Sequence, residues 1–257
     1  MFSGEPSFWQ DRVKASVIHL GLSLAVASSA ALLVFGIWYP YPYRDISGGR
    51  ELFLIVVAVD VLLGPLITLA VFNRKKPRTE LRRDLAVVGL LQLAALGYGL
   101  WTVFVARPVH LVFEVDRFRA VHAIEVPFEL LGKTSLSVDA MPIIGPSLLS
   151  LRSPKDEKEK SDVLMAELEG LPLAARPDFW QPYSADVAGV VKAARPLAGL
   201  KERFATRAED IDKAVAATGR PVQALAYLPL VSRSLVWTVL LDAQTADVVG
   251  YLALDPF

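Results

Sequence analysis

Apolar residues gather into three long runs within the first 105 positions and into short alternating runs after them. The long runs cover residues 17–37, 52–72 and 85–105. Each holds about 21 residues, and a helix of that length is roughly 31 Å long, enough to cross the hydrocarbon core of a bilayer. The first run passes Ala25 and Ala27, a pair that imitates a signal-cleavage site, yet stays apolar through "SSAALLVFGI". A signal h-region ends sooner, so this run is read as an uncleaved anchor. Beyond residue 107 the period shortens. "HLVFEVDRFRAVHAIEV" predicts two strands joined by a turn at Asp116 and Arg117. "SPKDEKEKSDVLMAELEG" predicts an exposed helix with Ser153 as N-cap, Pro154 in its first turn and Gly170 as its stop. "RAEDIDKAVAATG" predicts a further helix ending at Gly219, and the stretch between the two is expected to be irregular with a short helical piece. "ALAYLPLV", "SLVWTVLLD" and "DVVGYLAL" predict strands, the last two linked by "AQTA". The expected architecture is a membrane protein. Residues 1–106 form a three-helix transmembrane bundle, and residues 107–257 form an extracytoplasmic α+β domain with a mainly antiparallel sheet.

Charge adds an orientation. The link between the second and third runs carries Arg74, Lys75, Lys76, Arg78, Arg82 and Arg83, whereas the link between the first and second carries only Arg44 and Arg50. Arg12 and Lys14 precede the first run. Basic residues collect on the cytoplasmic side, which puts the N-terminus and the second link there and the C-terminal domain in the periplasm. Trp38, Tyr39, Tyr41, Tyr43 and Trp101 stand where interfacial anchors are expected. The chain has 257 residues, 53% of them hydrophobic, and a formal net charge of zero, so nothing global points to nucleic acid. Cysteine is absent, which excludes disulfides, thiolate metal sites and cysteine nucleophiles.

The second run, "VDVLLGPLITLAVF" at 59–72, holds Asp60, Gly64 and Pro65. A carboxylate in hydrocarbon costs about 2.5–3.5 kcal/mol on insertion scales, so Asp60 is expected to face protein or water. Counting depth along the runs makes Ser29 and Tyr98 candidate donors to Asp60. Pro65 removes an N–H and frees the carbonyl of Val61, which the amide of Gln92 is placed to reach. Small residues recur every four positions at Gly21, Ala25 and Ser29 and, beside Asp60, at Gly64 and Thr68; Ala95 and Gly99 add a pair. These positions predict an intramembrane polar layer of Asp60, Gly64, Pro65, Ser29, Tyr98 and Gln92. Two readings of it stay open: a layer that holds the bundle together, or a carboxylate that carries protons or contacts a partner helix. Asp84 is expected to be a helix N-cap, His19 interfacial, and Gly48 with Gly49 a tight turn.

Catalytic signatures are missing: there is no H-E-x-x-H, G-x-S-x-G, P-loop or dinucleotide fingerprint. His110 and His122 fall on opposite arms of the predicted hairpin, too few ligands for a metal site. No catalytic residue, cofactor or metal is expected. "DFWQPYS" offers Phe179, Trp180 and Tyr183 either as an aromatic contact patch or as local core.

The motifs "WYP" at 38–40, "GG" at 48–49, "VDVLLGPLITLAVF", "DL" at 84–85, "LQLAALGYG" and "ARPVHLVFEVDRF" resemble the pattern of the type IV pilin accessory proteins, the TfpX/TfpZ group. The resemblance runs through the terminal "YLPL…VWTVLLDAQTADVVGYL". Its recurring positions here are Trp38, Tyr39, Pro40, Gly48, Gly49, Asp60, Gly64, Pro65, Asp84, Gln92, Arg107 and Pro108; residues 130–220 have little counterpart. It implies an inner-membrane accessory factor of pilus assembly, partnered by the bilayer and by pilin or the assembly platform, and no catalytic residues. The competing functions are a membrane sensor, which lacks room for a cytoplasmic transmitter, and a membrane enzyme or transporter built on Asp60.

Overall fold

The computed structural model describes residues 8–73, 76–233 and 235–257. Arg74 and Lys75 of the basic link lie outside the described residues. The chain divides into two compact units, Met1–Ile37 with Gly49–Val105, and Trp38–Gly48 with Ala106–Phe257.

The first unit is helical. α1 covers Phe8–Leu33 and continues as a π-helical turn over Val34–Trp38. Past the short α2 (Tyr43–Ile46), which belongs to the second unit, α3 covers Gly49–Ala58, a π turn Val59–Leu63, and α4 Gly64–Val71. α5 covers Arg78–Val105. Among the described residues, three helical stretches are long and apolar enough to cross a membrane: Trp9–Trp38, Gly49–Val71 and Arg78–Val105. Two of them start well before their apolar runs. Charged side chains are good helix formers, so α5 opens in the polar "RTELRRD". Asp84 therefore lies inside α5, not at its N-cap, and pairs with Lys76 at 2.7 Å. Gly48, at φ 72°, makes the turn into α3.

The second unit is built on one mixed sheet. Its strands are β1 (Pro108–Glu114), β2 (Arg117–His122), β3 (Ser147–Leu151), β4 (Trp180–Pro182), β5 (Arg195–Pro196), β6 (Leu225–Val231), β7 (Val236–Asp242) and β8 (Val248–Leu252). The order is β4-β3-β1-β2-β6-β7-β8, with β5 on the free half of the β6 edge. Pairing is mainly antiparallel, but β1 with β3 and β2 with β6 run parallel. Parallel neighbours need long crossovers, and 123–146 and most of 152–224 serve that need. The hairpin turn falls on Val115 and Asp116, one residue earlier than predicted, with Val115 at φ 58°.

Both faces of the sheet are covered, which is why β1 is buried along its length and shows no alternation. On one face Leu111, Phe113, Phe118, Leu228, Leu230 and Val239 pack with Tyr43 and Ile46 of α2. Val112, Val121, Leu149, Ala174 and Trp180 form a second cluster. A third joins Leu225, Tyr227, Leu240 and Leu252 to α8 (Leu197–Arg203) and α9 (Ala208–Thr218). The predicted exposed helix is α6, Glu157–Leu168, and its N-cap is Asp156 instead of Ser153. Asp156 accepts from the Glu159 amide, while the Glu159 carboxylate takes both ends of the Arg152 guanidinium at 2.7 and 2.9 Å. That fork starts the helix three residues later than the serine would. The region expected to be irregular also holds α7 (Val187–Ala193) and α8, more helix than its scattered prolines suggest.

Candidate functional site

The break before Pro65 organises the candidate site. In the i+5 register of a π turn, residue 65 serves the carbonyl of residue 60, and proline brings no N–H to it. Gln92 of α5 supplies the donor: its Nε2 donates to the Asp60 carbonyl and to Asp60 Oδ1, both at 3.2 Å. The carbonyl reached is thus that of Asp60, not of Val61, because the π turn adds a residue to the repeat. Gly64 makes the room, since a Cβ there would overlap the Gln92 amide nitrogen. Asp60 is only 9% exposed. It borders a cavity of about 250 Å³ lined by Leu52, Val56, Val59, Ala95 and Gly99. At Gly99 an added Cβ would stand 2.6 and 2.7 Å from the Val56 methyls, so α3 and α5 are in contact there.

Two expected donors of the layer are turned to other partners. The Ser29 hydroxyl donates to Ala25 O of its own helix at 3.0 Å. Tyr98 borders the same cavity but is 70% exposed, its ring tilted on Trp101 at 6.0 Å. Among the described residues no hydrogen bond joins either one to Asp60. Depth counting ranks residues along the helix axis and carries no information on azimuth. The α1 face that is buried runs through Ser23, Ala27, Ala30 and Val34, while Gly21, Ala25 and Ser29 are exposed.

A second polar seam, which the apolar pattern does not predict, joins α1 and α4. Arg12 donates to Phe72 O at 2.8 Å and to Ala70 O at 3.0 Å, satisfying carbonyls at the end of α4. Ser16 donates to Pro65 O at 2.8 Å, and His19 Nδ1 lies 2.5 Å from the Thr68 hydroxyl. The spacing 12, 16, 19 marks one helix face and is the signal that would have found it. His19 is therefore a packing residue between helices.

Gln92→Leu is expected to lower bundle stability by about 1–2 kcal/mol, the value of an interhelical hydrogen bond in a membrane. Asp60→Asn keeps a carbonyl acceptor for Gln92 and is expected to stay near wild type. Thermal unfolding in detergent checks both, and equal losses from the two substitutions would contradict this assignment.

In the sheet domain the aromatic candidates are core, not a contact patch. Phe179 is fully buried with the guanidinium groups of Arg152 and Arg176 over its ring at 4.2 and 4.7 Å. Trp180 is 2% exposed, lies 4.3 Å from the His110 ring, and donates from Nε1 to Ala174 O at 2.8 Å. The Tyr183 hydroxyl donates to Ala246 O at 2.6 Å. Strand β4 carries Trp180, with Phe179 and Tyr183 in the turns on either side of it, an arrangement that a loop reading of "DFWQPYS" does not reveal.

The histidines are held apart by their own partners. His110 lies 2.7 Å from the Ser147 hydroxyl through Nδ1 and 3.1 Å from Ala140 O through Nε2, so Nε2 carries the proton. His122 Nδ1 meets Glu125 at 3.2 Å, and its buried Nε2 has no hydrogen-bond partner among the described residues. No group of three or more metal-ligating side chains occurs among the described residues. Burial lowers the His110 pKa to about 4. The unfolded side chain titrates near pH 6.5, so its contribution is complete above that pH and is lost as pH falls toward 4. Sheet-domain stability is expected to drop by about 3 kcal/mol over that window. Hydrogen exchange at β1 and β3 in the full-length protein measures it, and His110→Gln should flatten the slope.

Comparison with known proteins decides the family. The chain is 33% identical over 246 residues to a protein of Dichelobacter nodosus named "Fimbrial assembly protein, serogroup I", covering 95% of each chain. The chain belongs to the fimbrial assembly protein family. The serogroup E1 fimbrial assembly protein of the same organism matches equally, at 33% over 246 residues and 95% of each chain. The protein of serogroups C1 and C2 is 38% identical over 129 residues, half of this chain and 91% of its own. The family described as "Fimbrial assembly protein FimB" matches residues 7–48, which contain α1 and α2. The fimbrial assembly family agrees with the type IV pilin accessory resemblance carried by the sequence motifs. No solved structure matches the chain.

Proposed function

We propose that this member of the fimbrial assembly family is a non-enzymatic accessory factor of type IV pilus assembly, held in the bacterial inner membrane by three helices. The N-terminus and the link that carries Lys76, Arg78, Arg82 and Arg83 face the cytoplasm, and the sheet domain faces the periplasm. The protein acts on pilin or on the machinery that extends and retracts it. Asp60, one oxygen of which is held by Gln92, sits beside an apolar cavity and offers an acceptor to a donor on a neighbouring helix.

The observation that carries the reading is the match along 95% of the chain to a protein named for fimbrial assembly. Three helices long and apolar enough to cross a membrane support the location. A photo-crosslinker at Val59, beside the Asp60 cavity, and another at Leu168 on α6 test it. The expected adducts are with pilin or the assembly platform. No adduct from either position, together with unchanged piliation on deletion, would reject the reading.

A further inference from the structure

Two large apolar side chains, Ile143 and Ile144, project from an irregular loop of the sheet domain, 63% and 80% exposed. The surrounding residues 141–146, "MPIIGP", carry no charge. An exposed apolar side chain is ordinary by itself, and what sets this pair apart is its placement. Here the loop is fastened on both sides. The buried Arg107 donates to Pro142 O from Nε at 3.3 Å and from Nη2 at 3.2 Å, and Nη2 reaches Met141 O at 3.5 Å. On the other side Gly145, at φ 54°, lies against Pro40, whose ring carbon would be 3.7 Å from an added Cβ.

Those two fastening points are also where the chain enters the sheet domain. α5 ends at Val105, two residues before Arg107, and the first apolar helical stretch ends at Trp38, two residues before Pro40. Two residues of extended chain reach at most about 7 Å. The polar zone on each side of the hydrocarbon is roughly 5–8 Å deep. When the helices span a bilayer, Arg107 and Pro40 both fall within that zone and hold the loop at its level.

We propose that Ile143 and Ile144 insert into the interfacial layer of the outer leaflet, so that the partner of this loop is the lipid surface. The inference rests on the membrane-spanning reading above. Its consequence is that residues 141–146 of the sheet domain contact lipid.

The chain has no cysteine, so a single introduced thiol can be labelled without background. Full-length Ile144→Cys, Ile143→Cys, Leu168→Cys on the charged α6, and Ile55→Cys within α3 are labelled with a nitrobenzoxadiazole fluorophore. Each is reconstituted in phosphatidylcholine–phosphatidylglycerol vesicles that carry a nitroxide at a shallow or a deep acyl position. The expected result is blue-shifted emission and loss of intensity from the shallow nitroxide at positions 143 and 144. Position 168 should be unaffected, and position 55, three residues inside the outer end of the second apolar run, should also be quenched by the shallow nitroxide. If positions 143 and 144 behave like position 168 while position 55 is quenched, the loop faces water and the inference is overturned alone. If position 55 also escapes quenching, the membrane reading falls and the inference falls with it.

Discussion

Trp180→Ala is expected to destabilise the sheet domain by about 3–5 kcal/mol, the range for deleting a large buried aromatic side chain. The ring fills the space between β1, β3 and the Ala174 segment, edge-on to His110. Its loss removes that packing and also leaves the buried carbonyl of Ala174 without the indole donor. Trp180→Phe restores most of the volume but not the N–H, so its loss should be clearly smaller. Hydrogen exchange at β1 and β3 in the full-length protein measures both. An exposed contact residue in the same place would change stability by no more than about 0.5 kcal/mol. A loss that small for Trp180→Ala would return the aromatic trio to the surface.

Gly99→Leu carries the second large expected effect, in the helical unit. The nearest atoms to an added Cβ are the two methyls of Val56, and a β-branched side chain has little freedom to turn away. The helices must separate or strain, at a cost of about 1–3 kcal/mol. Separation also pulls Gln92 away from Asp60, because α5 carries both Gly99 and Gln92. Val56→Ala in the same chain opens the contact and should recover part of the loss, giving a coupling that unrelated sites do not show. Thermal unfolding in detergent reads the cycle. Additive losses would mean that α3 and α5 do not meet at these residues.

Much of this architecture is legible in the residues, and the parts that are not share a cause. Runs of about 21 apolar residues can hardly be anything but long helices, and two short strand-length runs around His110 and His122, broken by the polar pair Asp116 and Arg117, mark a hairpin. Gln92 is legible near the break at Pro65 because depth can be counted along an axis. Azimuth cannot be counted in the same way: Ser29 bonds to its own helix, and Tyr98, although it borders the Asp60 cavity, is exposed. The π turn adds a residue that no periodicity rule anticipates, and it moves the open carbonyl from Val61 to Asp60. The face made by Arg12, Ser16 and His19 was open to inspection, but their partners are mostly backbone carbonyls, which carry no sequence signature. In the sheet domain, tertiary contacts overrode local signals. Ser153 and Asp156 both have N-cap chemistry, and the Arg152 fork on Glu159 selects the second.

Membership of the fimbrial assembly family supports a role in pilus assembly, and the proposed role is that of an accessory factor. The most direct test is to count surface pili on cells in which the chain has been deleted, with retraction active and with retraction disabled. Fewer pili than wild type are expected when retraction is active, restored by the intact chain supplied in trans. A wild-type number in both backgrounds would contradict a role in assembly.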